Sequence, residues 1–168
     1  MLRLPQSNML GRLLKKDKTV TLHAPVRGQW LALSEVKDAA FSGGMLGQGL
    51  AIVPEEGLVV APCPGRVTTL PDTGHAVGLT HASGAEILIH VGIDTVRLAG
   101  QGFEPLVRPG DTVAAGQALL RFDLPTLQAA GYDITTPVVV CNSDQFAAFD
   151  IVPHDRLDHT DEIIRIRQ

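Results

Sequence analysis

Aromatic residues are scarce, at 4% of 168 residues, so aliphatic side chains must fill whatever core the chain builds. Positive charge is not in excess either: the net charge is −4 and no basic stripe offers nucleic acid an electrostatic footprint. The only cysteines, Cys63 and Cys141, lack CxxC spacing, which argues against a structural zinc site and a disulfide framework and fits reduced thiols in a cytosol. No run is apolar for long enough to span a bilayer, and the N-terminus lacks the apolar core of a signal peptide. A soluble, cytoplasmic chain is expected. Lysine occurs only at 15, 16, 18 and 37, and no HxH pair occurs anywhere.

What is present is hydrophobic mass, 45% of residues, which suffices for one compact domain. Residues 1–18 stand apart, with Arg3, Arg12, Lys15, Lys16 and Lys18 among Leu10, Leu13 and Leu14 at helical spacing. They read as a flexible basic tail, with weak contact to an anionic membrane as the sharper alternative. Residues 19–168 read as a single domain.

In that domain, short β-branched and aliphatic runs alternate with Gly and Pro. The runs 19–24, 28–33, 49–53, 58–61, 65–70, 95–101, 118–122, 136–140 and 162–167 read as strands. A pattern of short strands and frequent turns predicts an all-β sandwich or barrel. Only Leu124 to Ala130 reads as helix, with Asp123 as N-cap and Pro125 in the first turn. Ala24-Pro25-Val26-Arg27-Gly28 returns as Ala61-Pro62-Cys63-Pro64-Gly65, each copy leading into a strand, which suggests a duplicated architecture.

Two further runs flank a turn at His81-Ala82-Ser83-Gly84, where Gly84 supplies a left-handed backbone angle. A four-residue loop pairs Thr80 with Ala85 and places His75 opposite His90, on one face with Val77, Leu79, Glu86 and Leu88. Directly opposed β-carbons lie about 4.5–5.5 Å apart, so two imidazoles there share one small anion or one metal ion. The register is sensitive: one more loop residue sets His75 against the opposite face.

Neutral imidazole is both nucleophile and metal ligand near neutral pH, and two such rings in one apolar patch suppress each other's charge. Thr73, two residues before His75, is placed to fix that ring's tautomer. Asp94 either orients His90 or satisfies its own turn. His23 and His81 read as bystanders at a strand end and in a turn. His154 and His159, among Asp155, Asp158 and Asp161, read as a solvated loop more than as a metal site.

The stretch Gly84-Ala85-Glu86-Ile87-Leu88-Ile89-His90-Val91-Gly92-Ile93-Asp94-Thr95-Val96 resembles the phosphorylation signature of glucose-type IIA domains of the bacterial phosphoenolpyruvate-dependent sugar phosphotransferase system. Separate stretches agree in order: Ala24-Pro25 with Gly28, 47–52, Ala61-Pro62 with Gly65, Thr73 with His75, 122–125, and 136–140 with Asn142. The likeness covers roughly residues 19–167. It implies an antiparallel β-sandwich or distorted barrel of the duplicated hybrid-motif type, with only short helical turns.

It also implies a cytoplasmic phosphocarrier without a required cofactor. His90 would accept a phosphoryl group from the histidine-containing phosphocarrier protein and pass it to the IIB domain of a membrane sugar permease. His75 would stabilise the phosphoryl oxygens, Thr73 would hold His75, and Asp94 would sit beside His90. Ala39, Ala40, Phe41, Met45, Leu46, Leu88 and Val96 match the family's apolar docking ring. Gly74, Pro71 and Leu88 depart from its common residues, which bears on docking selectivity.

Three other functions compete with this one. A lysostaphin-type zinc endopeptidase has a related fold but needs an HxH pair with a further His and Asp, and the chain has no HxH. A biotinyl or lipoyl carrier, suggested by residues 107–120, needs a lysine at a hairpin tip, where none stands. A regulator of other proteins is natural, because a phosphoryl group on His90 would change the field over the docking face. Zinc bridging His75, His90 and a partner's carboxylate belongs with that third reading.

Overall fold

Residues 18–168 are described by a computed structural model. The expected basic tail falls, but for Lys18, outside the described residues. The strands are β1 (Thr19–His23), β2 (Gly28–Ala32), β3 (Gln48–Pro54), β4 (Leu58–Val60), β5 (Gly65–Thr69), β6 (Ala76–Thr80) and β7 (Glu86–His90) in the first half. There follow β8 (Phe103–Pro105), β9 (Thr112–Val113), β10 (Ala118–Phe122), β11 (Thr136–Val140), β12 (Ala148–Ile151), β13 (Arg156–Leu157) and β14 (Glu162–Arg167). Two short helices, α1 (Ala39–Ser42) and α2 (Leu124–Ala129), interrupt them.

All strand pairs are antiparallel, in an eight-stranded sheet ordered β13-β2-β3-β11-β7-β6-β5-β9 and two three-stranded sheets, β1-β14-β12 and β4-β10-β8. The expected all-β sandwich is therefore the fold. The two Ala-Pro segments bond to each other's flanks, His23 N–H to the Pro62 carbonyl and Val60 N–H to the Pro25 carbonyl. The repeated sequence is thus a repeated backbone device.

Because strand side chains alternate, one face of the long sheet carries Leu50, Ile52, Val77, Leu79, Ile87, Ile89, Val138 and Val140 into the main core. The other face gathers a smaller cluster of Val36, Phe41, Ala51, Ile93 and Val139, with Leu31, Leu33 and Leu88 packed on it. That second, thinner layer underlies the histidines.

The segment expected as a strand over 95–101 is instead a 3-10 turn, Thr95–Leu98. Left-handed backbone at Asp94 (φ 59°) and Ala99 (φ 52°) bends the chain at both ends, so its apolar residues never extend into a ladder. Helix α2 ends one residue before expectation, and the Asp123 carboxylate caps it by accepting the Thr126 N–H at 3.1 Å. Among the described residues, no helix is long and apolar enough to cross a membrane.

Candidate functional site

The hairpin register differs by one from the expected pairing. His81 still bonds Ala85 through its N–H, leaving a three-residue loop, Ala82 to Gly84, with Gly84 at φ +90°. A three-residue loop closed by a left-handed glycine is a standard hairpin connection. Its odd count pairs Thr80 with Glu86 and Ala76 with His90. Val77 and Leu79 consequently point into the core with Ile87 and Ile89 and do not share a face with His90. His75 is not opposite His90; its carbonyl accepts the Val91 N–H at 2.8 Å.

The rings meet nonetheless. His75 precedes β6, in a bend after Gly74 (φ +64°), so the strand's alternation does not dictate where its side chain goes. The two imidazole centroids are 5.0 Å apart, edge to face at 77°. Phe41 touches His90 from another direction, with centroids 5.3 Å apart at 59°.

Each ring is held at Nδ1. The His90 Nδ1 lies 2.7 Å from the Gly92 carbonyl, and because a carbonyl only accepts, this nitrogen carries the hydrogen. In the neutral ring Nε2 is then left with its lone pair. The His75 Nδ1 lies 2.6 Å from the Thr73 hydroxyl, the partnership expected from their spacing. A hydroxyl that donates there leaves Nε2–H of His75 free to donate in turn.

Burial pushes both imidazoles below the ordinary pKa of 6.5. For His75 the nearby His90 adds to that push. For His90 the Gly92 hydrogen bond opposes it, followed by the charges of Asp38 and then Asp94. Asp94 is exposed, and its carboxylate makes no capping bond to the 3-10 turn that it precedes.

Asp38 is a site residue that sequence reasoning missed. Its carboxylate accepts the Ala40 N–H at 2.9 Å and caps α1, the helix that carries Phe41 to His90. An Asp directly before Ala39-Ala40-Phe41 is a helix-start signal, and it was available in the sequence.

The expected docking residues divide. Phe41 is buried at 4% exposure and Leu88 is half-buried on the smaller cluster. Met45 at 82%, Val96 at 51% and Leu46 at 38% stand out into solvent, as does Ala39, while Ala40 is intermediate. Met45 and Leu46 follow α1, and Val96 lies in the turn after the His90 loop.

His154 and His159 are engaged elsewhere. His154 bonds the Glu162 carbonyl through Nε2 at 2.7 Å, and His159 faces the Ala24 carbonyl and Glu56. Among the described residues, no group of three or more His, Cys, Asp or Glu side chains is arranged to hold a metal ion. The chain supplies two imidazoles, short of zinc's usual tetrahedral shell, so the zinc reading finds no support in this chain and neither does the endopeptidase. Cys63 is buried, its thiol pushed up to about 12 by desolvation.

Comparison with known proteins identifies the family. Residues 20–146 match the family model of the phosphoenolpyruvate-dependent sugar phosphotransferase system, EIIA 1. The beta-glucoside-specific EIIBCA component of Bacillus subtilis is 55% identical over 126 residues, 75% of this chain and 21% of that protein. This chain thus spans about a fifth of the length of the beta-glucoside relatives from Bacillus subtilis and Dickeya chrysanthemi. The glucose-specific EIIA component of Staphylococcus epidermidis is 39% identical over 143 residues, 85% of this chain and 86% of that one. The solved glucose permease IIA from Mycoplasma capricolum superposes with a TM-score of 0.82 at 34% identity, covering 88% of this chain and 96% of its own. The chain belongs to the EIIA 1 family of the phosphoenolpyruvate-dependent sugar phosphotransferase system.

Proposed function

We propose that this chain is a phosphocarrier whose acceptor atom is Nε2 of His90. The observation that carries the reading is the pairing of His90, tied through Nδ1 to the Gly92 carbonyl, with a second imidazole 5.0 Å away. In the first step the Nε2 lone pair attacks phosphorus on the phosphohistidine of the histidine-containing phosphocarrier protein. The new N–P bond forms as the donor's N–P bond breaks, and the donor nitrogen keeps that electron pair. In the second step a cysteine thiolate of a IIB domain takes the phosphoryl group, and His90 recovers its lone pair.

Phosphoryl transfer asks mainly for positioning and for donors facing the equatorial oxygens. Nε2–H of His75, with Thr73 bonded behind it, supplies one such donor. Asp94, beside His90 and exposed, is offered to an incoming cationic side chain. Met45, Leu46 and Val96 provide an apolar surface on which two partners dock in turn. The EIIBCA designation of the beta-glucoside relatives supports a B component as recipient. The exchange takes place in the cytoplasm, and the phosphoryl charge offers regulatory partners a signal of phosphorylation state.

The test is incubation with phosphoenolpyruvate and the two general phosphotransferase proteins, followed by mass analysis. Wild type is expected to gain one acid-labile phosphoryl group and His90→Ala none. No gain on wild type, or an undiminished gain on the variant, overturns the reading.

A further inference from the structure

His90 owes its free Nε2 to one backbone carbonyl, so whatever aims that carbonyl governs the nucleophile. Gly92 is left-handed (φ +75°), and its peptide with Ile93 is held from two sides. Its oxygen meets the His90 Nδ1 at 2.7 Å, and the Ile93 N–H bonds the Asp133 carbonyl at 2.9 Å. The two preceding peptides, His90–Val91 and Val91–Gly92, are each clamped separately. The Val91 N–H goes to the His75 carbonyl at 2.8 Å, and the Val91 carbonyl accepts the Thr95 hydroxyl at 2.5 Å.

Thr95 is fully buried, at 0% exposure. Its methyl also lies against the Gly92 α-carbon: a β-carbon added there would stand 2.5 Å from the Thr95 Cγ2. Thr95 therefore touches both halves of the loop. Left without the hydroxyl, the Val91 carbonyl would be a buried orphan, and turning its peptide to find a partner would swing Gly92 with it.

We propose that Thr95 is a positioning residue: its hydroxyl locks the Val91–Gly92 backbone so that the Gly92 carbonyl keeps the hydrogen of His90 on Nδ1 and leaves Nε2 unprotonated. The inference rests on His90 being the phosphoryl acceptor. A turn residue retained only for stability would act on folding and not on the ring's tautomer.

The test compares Thr95→Val and Thr95→Ser in the full chain. Histidine nitrogen NMR reads the tautomer of His90, and the rate of phosphorylation by the histidine-containing phosphocarrier protein reads its chemistry. Thr95→Val is expected to move the ring toward the Nε2–H form and to lower kcat about tenfold while KM for the donor changes less than about twofold. Thr95→Ser, which keeps the hydroxyl, is expected to restore the Nδ1–H form and the rate to within about threefold. A folded valine variant with the wild-type tautomer and rate overturns the proposal, as does a serine variant as impaired as valine. If Thr95→Val does not fold, Thr95→Ala takes its place, and loss of the fold in both makes the hydroxyl a structural anchor, which also overturns the assignment. A wild type that takes up no phosphoryl group refutes the phosphocarrier reading alone, because the tautomer comparison needs no donor.

Discussion

The two faces of the eight-stranded sheet are made by alternate residues of the same strands, yet they serve different ends. On the inner face Leu50, Ile52, Ile87, Ile89, Val138 and Val140 are 0–1% exposed and interlock in the main core. On the outer face Ala51, Leu88 and Val139 join a cluster closed on one side by Phe41, and the histidines stand at its edge. Full burial yields packing energy and leaves no atom for a partner. His75 is itself buried at 8% exposure, whereas His90 is partly exposed: burial keeps both imidazoles neutral, and the partial exposure of His90 leaves one ring reachable, as the proposed transfer needs.

The comparison breaks most sharply at position 89. Ile89→Ala empties a site with no exposure and is expected to cost about 3 kcal/mol of unfolding free energy. The protein that remains folded should still accept the phosphoryl group at close to the wild-type rate. Denaturant titration beside the phosphorylation assay checks this, and a loss of rate larger than the loss of folded protein would show that the two faces are not separable.

A change of opposite character is His75→Gln, which removes a ring on the outer face and leaves the main core intact. Transfer through His90 is expected to slow about a hundredfold, the scale of losing one oriented donor to a developing oxyanion. Because the ring is buried and bonded to Thr73, stability should also fall, by about 1–2 kcal/mol. An unaltered transfer rate to both partners would remove His75 from the mechanism.

The smallest effect is on pH dependence. Both imidazoles are held below 6.5 by burial, so as pH falls under that value the unfolded chain binds more protons than the folded one. Stability therefore rises with pH through this window and is lost on acidification, until the folded rings themselves protonate. Urea midpoints across the window should show this slope in wild type and a weaker one in a His75→Gln, His90→Gln double variant. An equal slope in both would place its origin elsewhere.

Strand positions were legible because the signal is local: β-branched runs bounded by Gly and Pro return as β5, β10, β11 and β14 nearly residue for residue. So was α2, whose cap and proline are adjacent in the chain. The failure at 95–101 is instructive, since Val96 and Leu98 carry strand-like composition while two left-handed residues bend the path. Parity of the hairpin loop was beyond the sequence as well. His81-Ala82-Ser83-Gly84 announces a turn but not whether His81 pairs with Ala85, and that one bond decides which face every side chain takes.

Within the site, Thr73 with His75 was legible because two residues separate them and local geometry brings hydroxyl to ring. Asp38 was not assigned to His90, Phe41 was placed near it only through the docking ring that the resemblance implies, and the Gly92 carbonyl was not foreseen. The first two reach it across some fifty residues of chain, and a carbonyl has no letter in the sequence.

The amino-acid order by itself determined the chemistry on offer: two neutral-capable imidazoles near one turn, a threonine beside one of them, and aliphatic strands. Tertiary structure alone decided that the rings meet, because the ladder's register sends Val77 and Leu79 inward and only the bend at His75 brings that ring back over His90. Side-chain type is a local property, whereas ring separation and the aim of a carbonyl are set by packing between segments far apart in the chain.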